Sequence, residues 1–329
     1  MRLIGLAVIL TINLTLTLIA AEAQLAKKIW RIGFLIPVSL PDAASRMGRL
    51  PAFTERMKEL GWPEGQAFTM ESRFTERDEP KLRSAAVDLA RLPVDVIVAV
   101  SSPAVNAATA ATVTIPIIAI DLETDPVAKG FAASLARPSK NITGLFLDLP
   151  ELNGKRLQLL KEFVPKLSRV AVLWDPSLDP TPLKAAELAA RTFSVDLHVV
   201  SAGRREDFAQ ALGEATRQHA GALLVVQSPT FDLYAKDIAA LALKHRLPSI
   251  GLFNGFAKSG GLASYGPDLR ALFAQSANYV DRILKGAKAG SLPIERPVRF
   301  ELVVNVKTAN VLGLTIPQTI LVRADAIIQ

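Results

Sequence analysis

The side chains in this sequence best suited to chemistry are hydroxyls, carboxylates and amides that lie at or just beyond the ends of short apolar runs. The first half of the chain offers Ser101, Ser102, Pro103, Asp121, Glu123 and Asp125, and the second half offers Asp175, Ser177, Gln227, Ser228, Asn254 and Tyr265. A buried carboxylate requires a hydrogen-bond donor or a cation as its partner. The set therefore predicts a binding site for a small polar or amino-acid-like ligand that carries an ammonium group or several hydroxyl donors.

Some of these residues also have a purely structural interpretation. Asp125 precedes a proline and suits the cap of a helix, and Ser102 has the same relation to the proline that follows it. Capping and ligand contact both stay open for these two residues. Asp121 and Glu123, together with Asp125, could bind Ca²⁺, but the stretch lacks the glycine and the distal glutamate of a defined calcium loop. No metal site is expected.

The residue types needed for covalent catalysis are missing or badly spaced. The chain has no cysteine, and His198, His219 and His245 lie far apart without a second ligand at metal-binding spacing. Ser264 lies in "GGLASYG", whose G-x-x-S-x-G spacing departs from a nucleophile elbow. Neither a P-loop nor G-x-G-x-x-G is present. We therefore predict that the protein is not an enzyme and has no cofactor, with a hydrolase as the less favoured alternative.

The elements that position these residues alternate between apolar strands and amphipathic helices. Strands such as "RIGFLI", "VDVIVAV" and "IPIIAI" are apolar without clean alternation, which predicts a parallel sheet covered on both faces. From residue 169 the arrangement repeats with "RVAVLWDP", "VDLHVV" and "GALLVVQSP". Ligands bind at the carboxyl ends of such strands. If the two halves face each other, their polar strand ends line one cleft.

Four aromatic residues near these strand ends either wall the apolar side of the cleft or pack in the core: Phe231, Phe253, Phe256 and Tyr265. For Phe253, at the end of an apolar strand, the core is the preferred interpretation.

Composition limits the class of protein further. With 329 residues and 50% hydrophobic content, the chain can bury the cores of about two domains. Its 38 basic and 31 acidic residues give a net charge of +7. The basic residues are scattered, and with three Trp and three Tyr there are few rings for base stacking, so nucleic acid is not an expected partner.

The first 23 residues have the layout of a secretory signal peptide. Arg2 precedes an uncharged run from Leu3 to Ala21, and "AEA" supplies small residues for cleavage after Ala23. The alternative is an uncleaved anchor, since 19 uncharged residues approach the ~20 needed to span a bilayer. Polar interruptions within the run favour cleavage. An exported protein without cysteine cannot carry a lipid on its new N-terminus, so we predict a soluble periplasmic protein.

Long segments of the chain resemble a known family. They are "DPVAKGFAASLARPSKNITGL", "ELNGKRLQLLKEFVPKLSRVAVLWDP" and the stretch from "GGLASYG" to "VLGLTIP". These are similar to the ABC-transporter substrate-binding proteins that include tryptophan-binding, TrpX-like members. The resemblance implies a type I periplasmic-binding-protein fold, in which two doubly wound parallel-sheet lobes are joined by a three-strand hinge. Crossovers are expected near "NITGLFLD", "GGLASYG" and "FELVVN".

From this resemblance we expect lobe 1 to comprise residues 24–145 plus 267–304, and lobe 2 residues 146–266 plus 305–329. It implies a monomer that captures a small molecule between the lobes and delivers it to an ABC permease and ATPase complex at the inner membrane. A ligand-sensing module for a membrane receptor is the alternative. "SSPA" and "DPV" match strand-end loops of the family, whereas "IDLETDPV" is more acidic than the common form and Asp175 replaces a frequent Asn.

Overall fold

The computed structural model describes residues 28–37, 49–75, 78–121, 124–146, 149–178 and 180–329. The predicted signal peptide, residues 1–23, lies outside these ranges. A first sheet has five parallel strands in the order β2-β1-β3-β4-β5. The strands are β1 (Trp30–Ile36), β2 (Phe68–Phe74), β3 (Val96–Val100), β4 (Ile117–Asp121) and β5 (Ile142–Phe146). The helices between them are α1 (Arg49–Glu59), α2 (Glu79–Arg91) and α3 (Ser102–Ala111).

A second sheet has seven strands in the order β12-β11-β10-β9-β8-β6-β7. They are β6 (Arg169–Trp174), β7 (Asp196–Ser201), β8 (Ala222–Val225), β9 (Ser249–Gly251), β10 (Ala263–Pro267), β11 (Phe300–Asn305) and β12 (Ala326–Ile328). The accompanying helices are α4 (Leu149–Phe163), α5 (Thr181–Thr192), α6 (Phe208–Arg217), α7 (Pro229–Leu233), α8 (Ala235–Lys244) and α9 (Asn254–Lys258). They are followed by α10 (Leu269–Leu284), α11 (Val306–Leu312) and α12 (Gln318–Arg323). Short 3₁₀ turns lie at Arg205–Asp207 and Ala289–Ser291.

The chain passes between the two sheets three times within the described residues: after β5, after β10 and before β11. Helix α10 follows a strand of the second sheet but packs on the first, where Asn278 accepts a hydrogen bond from Arg56 Nε at 2.9 Å. Asp281 of the same helix accepts one from Trp62 Nε1 at 2.8 Å. We call the first sheet with α1–α3 and α10 the first lobe, and the second sheet with the remaining helices the second lobe.

The third crossing falls earlier than the lobe ranges expected from the sequence. Strand β11, which includes residues 300–304, pairs with β10 and β12 in the second sheet rather than lying in the first lobe. It runs antiparallel to β10, with Phe300 opposite Pro267. The chain leaves β10 at its carboxyl end and returns at that same end, so β11 has to run the opposite way.

Alternating side chains of the first sheet pack into separate layers on its two faces. Phe34 and Ile120 contact the apolar cluster that includes α1 and α10. Leu35 and Ala119 contact the cluster that includes α2 and α3. The second sheet is likewise covered on both faces. This arrangement explains why the strands are apolar throughout, as expected for buried parallel sheets.

Gly144 lies where β5 approaches β4 very closely. Its φ is 134°, and a Cβ at this position would overlap the carbonyl oxygen of Ala119 and lie 2.6 Å from the Ala119 nitrogen. The carbonyl of Gly144 accepts a hydrogen bond from Glu295 N at 3.0 Å, and Phe146 N donates to Glu295 O at 3.0 Å. The segment that leads into the third crossing is therefore paired directly with the strand of the first crossing.

Candidate functional site

The carboxyl edge of the first sheet presents a row of residues to the second lobe. The register of β1, β3 and β4 places Pro37, Ser101 and Asp121 side by side, and Ser101 N donates to Ile120 O at 2.8 Å. Ser101 immediately precedes α3, which begins at this edge. The strand ends that the sequence singled out in the first half of the chain are therefore neighbours.

Asp121 is fully buried and braces the loop that follows β4. Its Oδ1 accepts hydrogen bonds from Ser102 Oγ at 2.6 Å and from Thr124 N at 3.2 Å. Thr124 Oγ1 donates in turn to Ser102 Oγ at 2.9 Å. Ser102 is the first residue of α3, and its hydroxyl joins the ends of β3 and β4.

Asp175 likewise connects two strand ends in the second lobe. Its Oδ1 accepts hydrogen bonds from Ser177 N at 3.1 Å and Ser177 Oγ at 2.6 Å, and its Oδ2 accepts one from Ser228 Oγ at 2.7 Å. Asp175 is 3% exposed. Both oxygens therefore have hydroxyl or amide donors within the protein, and the carboxylate ties the end of β6 to the end of β8.

A buried arginine is hydrogen-bonded to the last residue of β8. Arg156 in α4 is 0% exposed and donates to Val225 O at 2.8 Å and to Asn153 Oδ1. Burial lowers the pKa of Arg156 to about 9, and the charge of Asp232 opposes this shift. Asp232 also accepts a hydrogen bond from Gln227 Nε2 at 3.2 Å. A charged group at this depth holds the polar strand end in one position.

A cavity of about 630 Å³ lies between the lobes at these strand ends. The first lobe contributes Pro37, Glu79, Leu82, Arg83, Ser101, Pro103, Asn106, Ala107 and Ala110, and the second contributes Asp175, Ser177, Leu178, Pro229 and Thr230. Its size falls within the ~300–1,000 Å³ typical of small-molecule sites. Four residues expected from the sequence line it: Ser101, Pro103, Asp175 and Ser177.

The other expected residues lie elsewhere. Gln227 and Ser228 are buried beneath the cavity wall, and Asn254 Nδ2 donates to Glu301 at 2.8 Å. Tyr265 stacks on Phe300 with ring centroids 6.1 Å apart, and burial raises its pKa.

Of the three acidic residues after β4, Asp121 is the buried brace described above. Asp125 is exposed and caps the following turn through Val127 N at 2.8 Å and Ala128 N at 3.1 Å. Glu123 lies outside the described residues. No cluster of three metal-binding side chains occurs within the described ranges.

Of the helical wall of the cavity, sequence reasoning identified only Pro103. Pro103, Asn106, Ala107 and Ala110 recur at the spacing of one face of α3, and Glu79, Leu82 and Arg83 do the same on α2. This spacing is visible in the sequence, but these side chains resemble ordinary surface and core positions. Arg83 and Glu79 form an exposed ion pair at 2.7 Å on the rim.

Ser101 has an unusual backbone at the floor of the cavity. Its φ of 84° and ψ of 158° lie in a region that residues other than glycine rarely adopt. Its Oγ is buried and has no hydrogen-bond partner among the residues that the structure describes. Strain and an unpaired hydroxyl in one residue are typical of a functional position.

Two α/β lobes joined by three connections, with a cavity between the carboxyl ends of their strands, define a type I periplasmic-binding-protein fold. This confirms the fold class expected from the sequence. A family model described as ABC transporter substrate binding protein matches residues 36–328. The chain belongs to this family.

Individual proteins are similar to this chain in sequence or in fold. A tyrosine-binding protein of Clostridioides difficile (strain R20291) is 26% identical over 267 residues, covering 80% of this chain and 75% of the relative. A conserved domain protein from Vibrio cholerae has the same fold with a TM-score of 0.83, at 24% identity, over 91% of this chain and all of that one. An ABC domain from Streptococcus pneumonia in complex with L-Trp gives a TM-score of 0.82, at 22% identity, over 92% of this chain and all of that one.

Proposed function

We propose that this protein is the periplasmic solute-binding component of an ABC importer. It captures a small polar or amino-acid-like ligand between its lobes and delivers it, as a monomer, to a permease and ATPase complex. The observation that carries this proposal is the cavity, which takes its walls from both lobes of a chain in the substrate-binding family. Closure of lobes about a hinge is the usual way such a fold holds its ligand.

The hydrogen bonds around the cavity refine the expected ligand. Both oxygens of Asp175 accept hydrogen bonds from neighbouring serines, so this carboxylate needs no ammonium group from outside. Asp121 accepts one from Ser102 through Oδ1. The preference for a cationic ligand therefore loses the part of its support that came from Asp175. Ser101 Oγ supplies a hydroxyl that can donate or accept. The relatives bind tyrosine and L-Trp, which makes neutral amino acids the first candidates.

A thermal-shift screen tests the proposal. A ligand that binds only the folded protein stabilises it by about 2.7 kcal/mol at a hundredfold excess over Kd, which for a protein of this size raises Tm by roughly 5 °C or more. We expect a few related hits among amino acids, amines and small carboxylates, each recovered chemically unchanged after prolonged incubation. Trp174 is buried beside Asp175, so its fluorescence should report the same binding. A screen without hits argues against solute capture, and conversion of a hit into product would indicate an enzyme.

Export is the second part of the proposal. The layout of residues 1–23 predicts cleavage after Ala23, so the mature protein should begin at Gln24. Among the described residues, no helix is both long and apolar enough to cross a membrane. Intact-mass measurement of the protein from a periplasmic extract should give the mass of residues 24–329. Recovery of the full-length chain from the membrane fraction would show that the N-terminal segment is an anchor instead.

A further inference from the structure

Two exposed charges of opposite sign line the cavity on its α2 wall. Glu79 and Arg83 both belong to the lining, as does Leu82 between them. Residues three or four apart lie on the same side of a helix, so this face of α2 presents both charged side chains to the cavity. Arg83 is 63% exposed and Glu79 is 70% exposed. Both charged groups are therefore accessible to a molecule that enters between the lobes.

Asp175, the other charged residue of the described lining, has a different environment. It is 3% exposed, and both of its oxygens accept hydrogen bonds from serines of the second lobe. Within the described part of the lining, the accessible charge is therefore that of Glu79 and Arg83.

The ion pair leaves hydrogen-bonding groups free on both side chains. Arg83 Nη1 donates to Glu79 Oε1 at 2.7 Å. A guanidinium has five N–H donors and a carboxylate has two acceptor oxygens. Nε and Nη2 of Arg83 and Oε2 of Glu79 make no hydrogen bond to another described residue. These donors suit a ligand carboxylate, which a guanidinium can bind with two parallel hydrogen bonds, and the free oxygen suits an ammonium group.

The close pairing of the two charges favours a zwitterion over a singly charged ligand. An amine is attracted to Glu79 but repelled by Arg83 beside it, and the reverse holds for a carboxylic acid. An α-amino acid carries its ammonium and carboxylate groups on one carbon, so each can lie against the opposite charge of the pair. Closure of the lobes would exclude water and strengthen both interactions, because they weaken with increasing dielectric constant.

We propose that Glu79 and Arg83 bind the head group of a zwitterionic α-amino acid and determine specificity for it. Arg83 donates hydrogen bonds to the ligand carboxylate, and Glu79 accepts one from the ligand ammonium group. The apolar part of the lining, which includes Ala107, Ala110 and Leu178, is left for the ligand side chain. This inference rests on the proposed function, to which it adds the class of ligand and the residues that recognise it.

The test removes one charge at a time from the protein and from the ligand. Arg83→Gln and Glu79→Gln are the two variants. Lys81→Gln is the matched control, because Lys81 lies on the same helix, is 66% exposed, pairs with Asp78 at 3.7 Å and is not part of the cavity lining. The probes are L-tyrosine, L-tryptophan and the other standard amino acids, measured by calorimetry on the mature chain. For an amino acid that binds, its amide lacks the carboxylate and its desamino acid lacks the ammonium group.

We expect Arg83→Gln to lower the affinity for the amino acid about tenfold or more, because a hydrogen-bonded charge pair is lost. Wild type should bind the amide about as weakly, and Arg83→Gln should not weaken amide binding further. Glu79→Gln should show the same relation with the desamino acid. Lys81→Gln should keep wild-type affinity, and the Tm of all three variants should lie within about 2 °C of wild type, since exposed ion pairs contribute little to stability.

Three results would count against the proposal. Wild-type affinity in Arg83→Gln and Glu79→Gln, or equal losses for the amino acid and its charge-deleted analogue, would overturn the role of the ion pair alone. If wild type binds amines or carboxylic acids but no amino acid, solute capture stands and this inference fails. If wild type binds none of these molecules, the proposed function and this inference fail together.

Discussion

Gly144→Ala should destabilise the protein by about 3–5 kcal/mol, because backbone strain and steric overlap act together. The φ of 134° is unfavourable for alanine, and the new Cβ would overlap the backbone of Ala119. Strand β4 cannot move away, since it is paired on one side with β3 and on the other with β5. This loss is a large part of the ~5–15 kcal/mol by which most proteins are stable. We expect little soluble protein, and a urea midpoint far below that of wild type.

Gly61→Ala is the matched control for this variant. Gly61 also has a positive φ, 90°, but no heavy atom lies within 4 Å of the added Cβ. The free energy of unfolding of Gly61→Ala should therefore fall only by the cost of the unfavourable φ, about 1 kcal/mol. Equal losses in the two variants would show that the close approach of β4 and β5 contributes nothing to stability.

Asn106→Trp should abolish ligand binding while leaving the fold intact. Asn106 is an exposed residue of α3 that faces the cavity, so an indole there fills the space between the lobes without entering a core. We expect affinity to fall by at least about a hundredfold, equivalent to about 2.7 kcal/mol. Stability of the ligand-free protein should change by no more than about 0.5 kcal/mol, as for most surface substitutions. Calorimetry and thermal unfolding measure the two quantities separately.

Leu188→Trp provides the comparison for a bulky aromatic residue on an exposed helix position. Leu188 lies in α5, is 67% exposed, and is not part of the cavity lining. The ligand affinity of Leu188→Trp should equal that of wild type. If Asn106→Trp also binds normally, the ligand occupies another part of the molecule. Ser102 is unsuitable for this experiment because its hydroxyl braces buried Asp121, so a tryptophan there would damage the fold as well.

The fold was predictable because its determinants are local or periodic. Apolar strands alternating with helices indicated parallel sheets. The ligand site predicted at the polar strand ends stays a prediction. The antiparallel direction of β11 could not be predicted from the sequence. It is set by the end of the second sheet at which the chain re-enters that sheet.

The hydrogen-bond partners of buried polar side chains could not be predicted from the sequence either. Whether Asp175 needs a ligand depends on Ser228, 53 residues away. The sequence placed polar residues at strand ends, but the hydrogen bonds that Asp175 receives from Ser177 and Ser228 could not be predicted from it. The ligand-binding role of Glu123, which lies outside the described residues, stays a prediction.

The late position of α10 in the chain has a consequence for how the protein is made. The apolar face of the first sheet that includes Phe34 is covered in part by a helix that begins only at Leu269, and Arg56 meets Asn278 across 222 residues of sequence. Until most of the chain has been synthesised, the first lobe cannot close its core, and such distant contacts form slowly. A nascent chain in this state stays unfolded for longer, which is the condition that the proposed export as an extended polypeptide would require.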